Sequence, residues 1–207
     1  MQELTKESKQ LYFNESDIQF SMAWAIKRLY TDAKIEMEVP IMSLDSDRSR
    51  RTKRVDIVVS LNGNVYAIEL KYRRKGIKEY NGREMKGDNR DRTEFSRDLQ
   101  RLEELVCGKQ EIYNKNITAG YAVWFTNDSR IWESKINTNR NEYKDDEFLS
   151  VKCGDTLGGH TEPIIVKQYE QSGMTIFIQG SYAITWKDFC KFDCVNGLLK
   201  YTIVNVH

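Results

Sequence analysis

The tightest constraint on the fold is a pair of β-rich runs around one dipeptide. Arg54 to Leu61 (RVDIVVSL) and Val65 to Tyr72 (VYAIELKY) are dense in β-branched and aromatic residues, and Asn62-Gly63 stands between them. Asn-Gly is the strongest short hairpin signal, because a type I′ turn needs positive φ at both central residues. With that turn Leu61 faces Asn64, and the rest of the register follows. Asp56 faces Glu69, Val58 faces Ala67 and Arg54 faces Lys71. Side chains alternate along a strand. Asp56, Glu69 and Lys71 therefore share one face, and Val55, Ile57, Ile68 and Leu70 the other. A three-residue turn would shift the count by one and still leave Glu69 and Lys71 on the same face.

The flanking patterns extend this hairpin into a larger unit. Residues 16 to 30 read as a helix. Ser16 and Gln19 have capping-box spacing, and Ile18, Met22, Ala25, Ile26 and Leu29 form an apolar stripe. In Lys34 to Met42, Ile35, Met37, Val39 and Ile41 alternate with other residues, as in a strand with one buried face. Ser43 to Lys53 is a polar, arginine-rich loop. Arg73 to Arg92 lacks apolar periodicity, carries Gly76, Gly82 and Gly87, and reads as a long mobile loop, functional or disordered. Phe95, Leu99, Leu102 and Val106 trace a second amphipathic helix closing near Gly108. Ala119 to Phe125 suits a central strand. Pro163 to Tyr169, Met174 to Gln179, Tyr182 to Trp186 and Leu198 to Val206 read as further strands.

The order α-β-β-β-α-β with strands appended predicts an α/β or α+β sandwich around a mixed sheet. One domain over residues 1–207 is expected, with a core about 14–126 and a strand-rich extension about 135–207. Apolar residues at 40% of 207 supply a core, and only 2 prolines argue against Pro-rich or collagen-like structure. No run reaches the roughly 18 apolar residues of a membrane helix. The start, MQELTKESKQ, lacks the apolar segment of a signal peptide. A cytoplasmic protein with reduced thiols is the resulting expectation. Cys107, Cys153, Cys190 and Cys194 offer one C-x3-C and no second pair, too little for structural zinc. Trp124, Trp132 and Trp186, with Tyr169, Tyr182 and Tyr201, read as core rather than as base-stacking platforms.

Two carboxylates facing each other amid apolar strand residues repel. Lys71 offsets part of that repulsion, and a divalent cation would offset the rest. Mg²⁺ binds through one or two carboxylates plus waters and substrate oxygens. Carboxylates, metal and a lysine suit attack on phosphorus. The plainer reading is an edge hairpin with a solvated polar face, but Val58 and Ala67 between the charges weaken it. No P-loop or nucleophile elbow is present, and the two histidines lie far from the acids in sequence.

Charge is uneven along the chain. Arg48 to Arg101 holds 16 Lys+Arg and 8 Asp+Glu, a local +8, while the remainder holds 16 and 23. Arg48, Arg50, Arg51, Lys53 and Arg54 lead into the Asp56 strand. Arg73, Arg74, Lys75 and Lys78 follow Lys71. Basic segments flanking a carboxylate site fit a polyanionic backbone; the alternative is a solubilising surface.

Asp56, then Glu69, Leu70 and Lys71 across a hairpin, within α-β-β-β-α-β order, resembles the PD-(D/E)XK restriction-endonuclease-like superfamily. Val55 stands at that family's loosely kept proline. The resemblance implies a Mg²⁺-dependent phosphodiesterase, with Mn²⁺ as a substitute and nucleic acid, expected to be DNA, as partner. It admits a homodimer and gives no role to a membrane. Asp56 and Glu69 would be metal ligands, and Lys71 would orient or activate the attacking water. Relatives carry a further acid on the first helix. Glu15 matches best and Asp17 less well, against a simple helix-dipole role. A polar residue of the second helix would come from Asp98, Gln100 or Arg101. Arg48, Arg50, Arg51, Lys53, Arg73, Arg74, Lys75 and Arg101 are the expected nucleic-acid contacts. The implied setting is restriction, phage defence, repair or mobile elements. A catalytically silent binding or assembly module of the same fold is the rival reading.

Overall fold

The computed structural model describes residues 12, 14–43, 53–75, 88–113, 115–133, 150–166, 174–193 and 196–207. Expectations for Arg48, Arg50, Arg51, Lys78, Tyr169 and Cys194, for 44–52 and for 76–87 lie outside them.

The hairpin forms as read. β3 (Arg54–Leu61) and β4 (Asn64–Arg73) pair antiparallel from Leu61↔Asn64 to Ile57↔Ile68. Asn62 and Gly63 have φ of 51° and 79°, as a type I′ turn requires. β1 (Lys34–Pro40) pairs antiparallel with β3. β6 (Ala119–Thr126) runs parallel to β4, and β12 (Leu198–Val206) antiparallel to β6. With β11 (Lys187–Lys191) they build a mixed six-stranded sheet in the order β1-β3-β4-β6-β12-β11. β2 (Met42–Ser43) pairs with β5 (Gln110–Glu111) apart from it. The architecture is α+β. β12 lies beside β6, so the C-terminal third supplies two strands of the main sheet.

Of the other expected C-terminal strands the described residues form short pieces, β8 (Ile164–Ile165), β9 (Thr175–Ile176) and β10 (Ser181–Ala183), and the unexpected β7 (Thr156–Gly158) pairs with β10. Among the described residues, no helix is long and apolar enough to cross a membrane.

Each face of the sheet carries a helix. α1 (Glu15–Leu29) is capped by Asn14 with Asp17 in a reciprocal capping box, two residues before the Ser16–Gln19 pair expected from sequence. Its buried Ile18, Met22 and Ala23 pack on Ile57, Val59, Ile68, Leu70 and Phe125. Leu29, expected in that stripe, is exposed. α2 (Asp88–Val106) covers the opposite face, with Phe95, Leu99, Leu102 and Leu105 against Val58, Ala67, Ala122, Trp124 and Val204. Each of those four side chains contributes roughly 1.5–3 kcal/mol by burial. The helix begins at Asp88, so the expected loop is shorter by the segment to Arg92. Polar residues hid that first turn, where Asp91 pairs with Arg73 at the end of β4. A third, short helix, α3 (Ser129–Trp132), follows β6. Trp124, Trp132 and Trp186 are core, as expected, and Cys107, Cys153 and Cys190 are unpaired thiols.

The close seat of α2 depends on Gly120. A Cβ there would lie 2.9 Å from Leu102 Cβ. The missing side chain lets the helix settle onto β6 and brings its polar edge over β4.

Two expected alternations fail at one place. Glu38 has φ 53°, a left-handed conformation that interrupts β1. Met37 is 44% exposed, whereas Val39 and Ile41 are buried. Across from it, Val55 joins the α2-side core while Ile57 joins the α1-side core. Val55 was expected on the Ile57 face; the irregularity at Glu38 and Asp56 turns it over.

Candidate active site

The hairpin ladder stops one pair short of Asp56–Glu69. The directly opposed pair expected from the register therefore does not form. Opposition would hold two buried carboxylates about 4.5–5.5 Å apart at Cβ. Instead Asp56 turns its own carboxylate into the gap, and Oδ2 accepts the Leu70 amide at 2.6 Å. The next outward amide of β4, Tyr72, donates to Glu15 Oε2 at 2.7 Å. Amides left without a strand partner need acceptors, and these two receive carboxylates from β3 and α1. Glu15 is thereby held against β4 at Tyr72, two residues from Leu70. Asp17 is committed to the α1 cap.

Glu69 and Lys71 project from β4 toward α2, on the same face, as expected. Glu69 is 4% exposed. Arg101 Nη1 donates to Glu69 Oε1 at 2.5 Å and to the Arg54 carbonyl at 3.2 Å, while Nη2 donates to Asp98 Oδ1 at 2.7 Å. Lys71 Nζ pairs with Glu94 at 2.8 Å. Asp98 and Arg101 are thus the α2 residues at the site. Gln100 points elsewhere, bonded to Glu104 and the Phe177 amide.

Gln19 and Glu38 were not foreseen. Gln19 Nε2 donates to the Asp56 carbonyl at 2.6 Å and to Glu38 Oε1 at 3.2 Å. A glutamine beside a buried stripe was a usable signal for the first. Glu38 becomes visible only once β1 lies against β3. Glu94 was missed because it sits in the turn of α2 where apolar periodicity first appears.

Electrostatics follow from this crowding. Burial raises the Asp56 carboxyl from 3.8 to about 7; the Leu70 amide pulls it down, and Glu15, Asp98 and Glu38 push it further up. Burial raises Glu69 well above its ordinary range despite Arg101, with Asp98 and Asp56 adding repulsion. Asp98 is raised by burial against the pull of Arg101 and Lys71. Burial disfavours the Lys71 ammonium, but Asp98, Glu94 and Glu15 together outweigh it and raise its pKa. Burial works against the Glu94 carboxylate too, yet hydrogen bonds from Lys71 and Arg90 hold it down at about 2.

Glu15, Asp56, Glu69 and Asp98 therefore face two cations, Lys71 and Arg101, of which Lys71 is shared with Glu94. Burial and mutual repulsion oppose the joint ionisation of Asp56, Glu69 and Asp98. Hard carboxylate oxygens crowded in this way suit a divalent ion of the Mg²⁺ class. Among the described residues, no three His, Cys, Asp or Glu side chains stand together as a ready cage. The carboxylates of Glu15 and Asp56 each hold a strand amide, and Arg101 sits on Glu69.

The basic residues divide. Lys53 is exposed where β3 begins, and Lys75 is half-buried beyond β4, its backbone clamped by Asn127. Arg73 pairs with Asp91 and Glu94 of α2. Arg74 is 7% exposed and donates to the Tyr12 carbonyl. The outward-facing cluster expected after Lys71 is thus turned inward at both arginines, because α2 and residue Tyr12 supply acceptors there. Arg101, expected to meet nucleic acid, lies inside the carboxylate cluster. In comparisons with family models, curated proteins and solved structures, nothing matches this chain.

Proposed function

We propose that this chain is a divalent-metal-dependent nuclease of the restriction-endonuclease-like, PD-(D/E)XK kind, hydrolysing phosphodiester bonds in DNA. The observation that carries the reading is the gathering of carboxyl groups beside Lys71: Asp56, Glu69 and Asp98 are crowded enough that burial and mutual repulsion raise all three, and Glu15 reaches the same strand. Counting only strands of the main sheet, the order helix, β1, β3, β4, helix, β6 up to Thr126 supports it.

Asp56, Glu69 and Glu15 would hold Mg²⁺ or Mn²⁺. When bound, such an ion lowers the pKa of water and withdraws charge from a phosphoryl oxygen. The chain's own residues do the positioning. Lys71 has a raised pKa and stays an ammonium at neutral pH. It acts as donor and positive charge toward water and phosphate oxygens, not as a neutral amine base. Glu94 holds that ammonium in place at 2.8 Å. Gln19 fixes the Asp56 backbone, and Asp56 gives up its proton near neutrality.

Plasmid and single-stranded DNA, each incubated with Mg²⁺, Mn²⁺ or EDTA, test the reading beside a Glu69→Gln control. Cleavage by the wild type in either metal, lost in EDTA and in the variant, is expected. An inert wild type in both metals would overturn it. One observation favours a second reading: Arg101 already compensates Glu69, as it would in a silent nucleic-acid-binding module. That reading expects DNA binding indifferent to metal and no cleavage.

A further inference from the structure

Arg101 occupies the place where the buried acids need a cation. Its two Nη atoms hold Glu69 and Asp98 at 2.5 and 2.7 Å. Its third contact is the carbonyl of Arg54, the residue through which the arginine-rich segment enters β3. The side chain keeps 16% exposure, against 4% for Glu69. A divalent ion on Glu69 would repel a guanidinium held on the same carboxylate, and both draw on one set of oxygens. The planar fork that satisfies two carboxylates also matches two phosphate oxygens.

We propose that Arg101 exchanges partners. In the metal-free protein it is the counter-ion of Glu69 and Asp98. When a divalent cation takes Glu69, the guanidinium is released from that carboxylate and binds a backbone phosphate of the nucleic acid. The inference rests on the metal-dependent nuclease reading. It adds that metal and nucleic acid bind cooperatively through one residue, each making the other's site available.

The exchange is tested first by metal binding in Arg101→Met and Arg101→Lys. The lysine variant keeps a positive charge and guards against misfolding of the other. Calorimetry with Ca²⁺ should show binding about tenfold tighter in Arg101→Met than in the wild type, since no charged hydrogen bond must be broken. Arg101→Lys should fall between. Equal affinities in all three would overturn the exchange. Absence of binding in the wild type and both variants would instead remove the metal reading beneath it.

The second measurement is anisotropy of a labelled DNA duplex in Ca²⁺ and in EDTA, with intact DNA verified by electrophoresis. In Ca²⁺, Arg101→Met should lose about tenfold in affinity. The slope of log affinity against log salt should be smaller by about 0.9. In EDTA the slope should match that of the wild type, because the guanidinium is held on the acids. A loss of the same factor and slope in both conditions would mean that Arg101 meets phosphate irrespective of metal. No loss in either would confine it to a counter-ion. Each of these two results overturns the proposal.

Discussion

Asp56→Asn probes the carboxylate cluster while leaving its packing almost unchanged. Burial, opposed by the Leu70 amide and reinforced by Glu15, Asp98 and Glu38, raises Asp56 from 3.8 to about 7. The folded protein then holds this proton more tightly than the unfolded chain. The resulting stability is fully present below pH 3.8 and is lost as pH rises through about 7. At about 1.36 kcal/mol per pKa unit, ionising the buried carboxylate costs roughly 4 kcal/mol in the absence of metal. Asparagine carries no charge and keeps an oxygen for the Leu70 amide. The variant should therefore gain on the wild type by about 3 kcal/mol between about pH 4.5 and pH 8. For a chain of this size that is a difference of about 6–12 °C in melting temperature. Thermal melts of both proteins in EDTA across this range measure it, and Mg²⁺ at the upper end should raise the wild type alone. A gap that stays constant with pH, or that narrows as pH rises, would refute the charge-crowding argument.

Lys71→Met should abolish cleavage yet leave Mg²⁺ affinity within a few fold by calorimetry, because an ammonium is no metal ligand. Loss of metal binding in a folded variant would contradict the role given to Lys71. Gly120→Ala should destabilise the fold by about 1–3 kcal/mol, since the added Cβ meets Leu102 Cβ at 2.9 Å. Guanidinium denaturation reads this directly, and an unchanged midpoint would mean that α2 is not seated tightly on β6.

Much of the fold was legible because short-range chemistry decides it. Asn62-Gly63 needs positive φ and sets a two-residue turn, so five pairs of the hairpin register follow from a dipeptide, down to Ile57↔Ile68. Phe95, Leu99 and Leu102 at helical spacing bury one face of α2, and the unbroken apolar run of β6 marks a strand covered on both sides. The first turn of α2 escaped notice because it has no apolar face. The small C-terminal strands were overdrawn because two- and three-residue pairs leave only a trace of alternation. Glu69 and Lys71 were placed together by strand parity alone.

What parity and spacing could not supply is anything that depends on which amides go unpaired. Asp56 leaves the ladder, and its oxygen and that of Glu15 take the Leu70 and Tyr72 amides. That arrangement exists only because α1, β3 and β4 meet at one point. The same holds for Arg101 on Glu69, for Glu38 opposite Asp56, and for the inward turn of Arg73 and Arg74. Residue type and period act over a few positions, whereas the pairing of a buried charge is settled by whatever the tertiary structure brings within about 3 Å of it. The sequence by itself determined the elements, their order and the identity of two acids and a lysine on neighbouring strands. The tertiary structure decided which charges face one another, which are compensated, and which carboxyls burial raises.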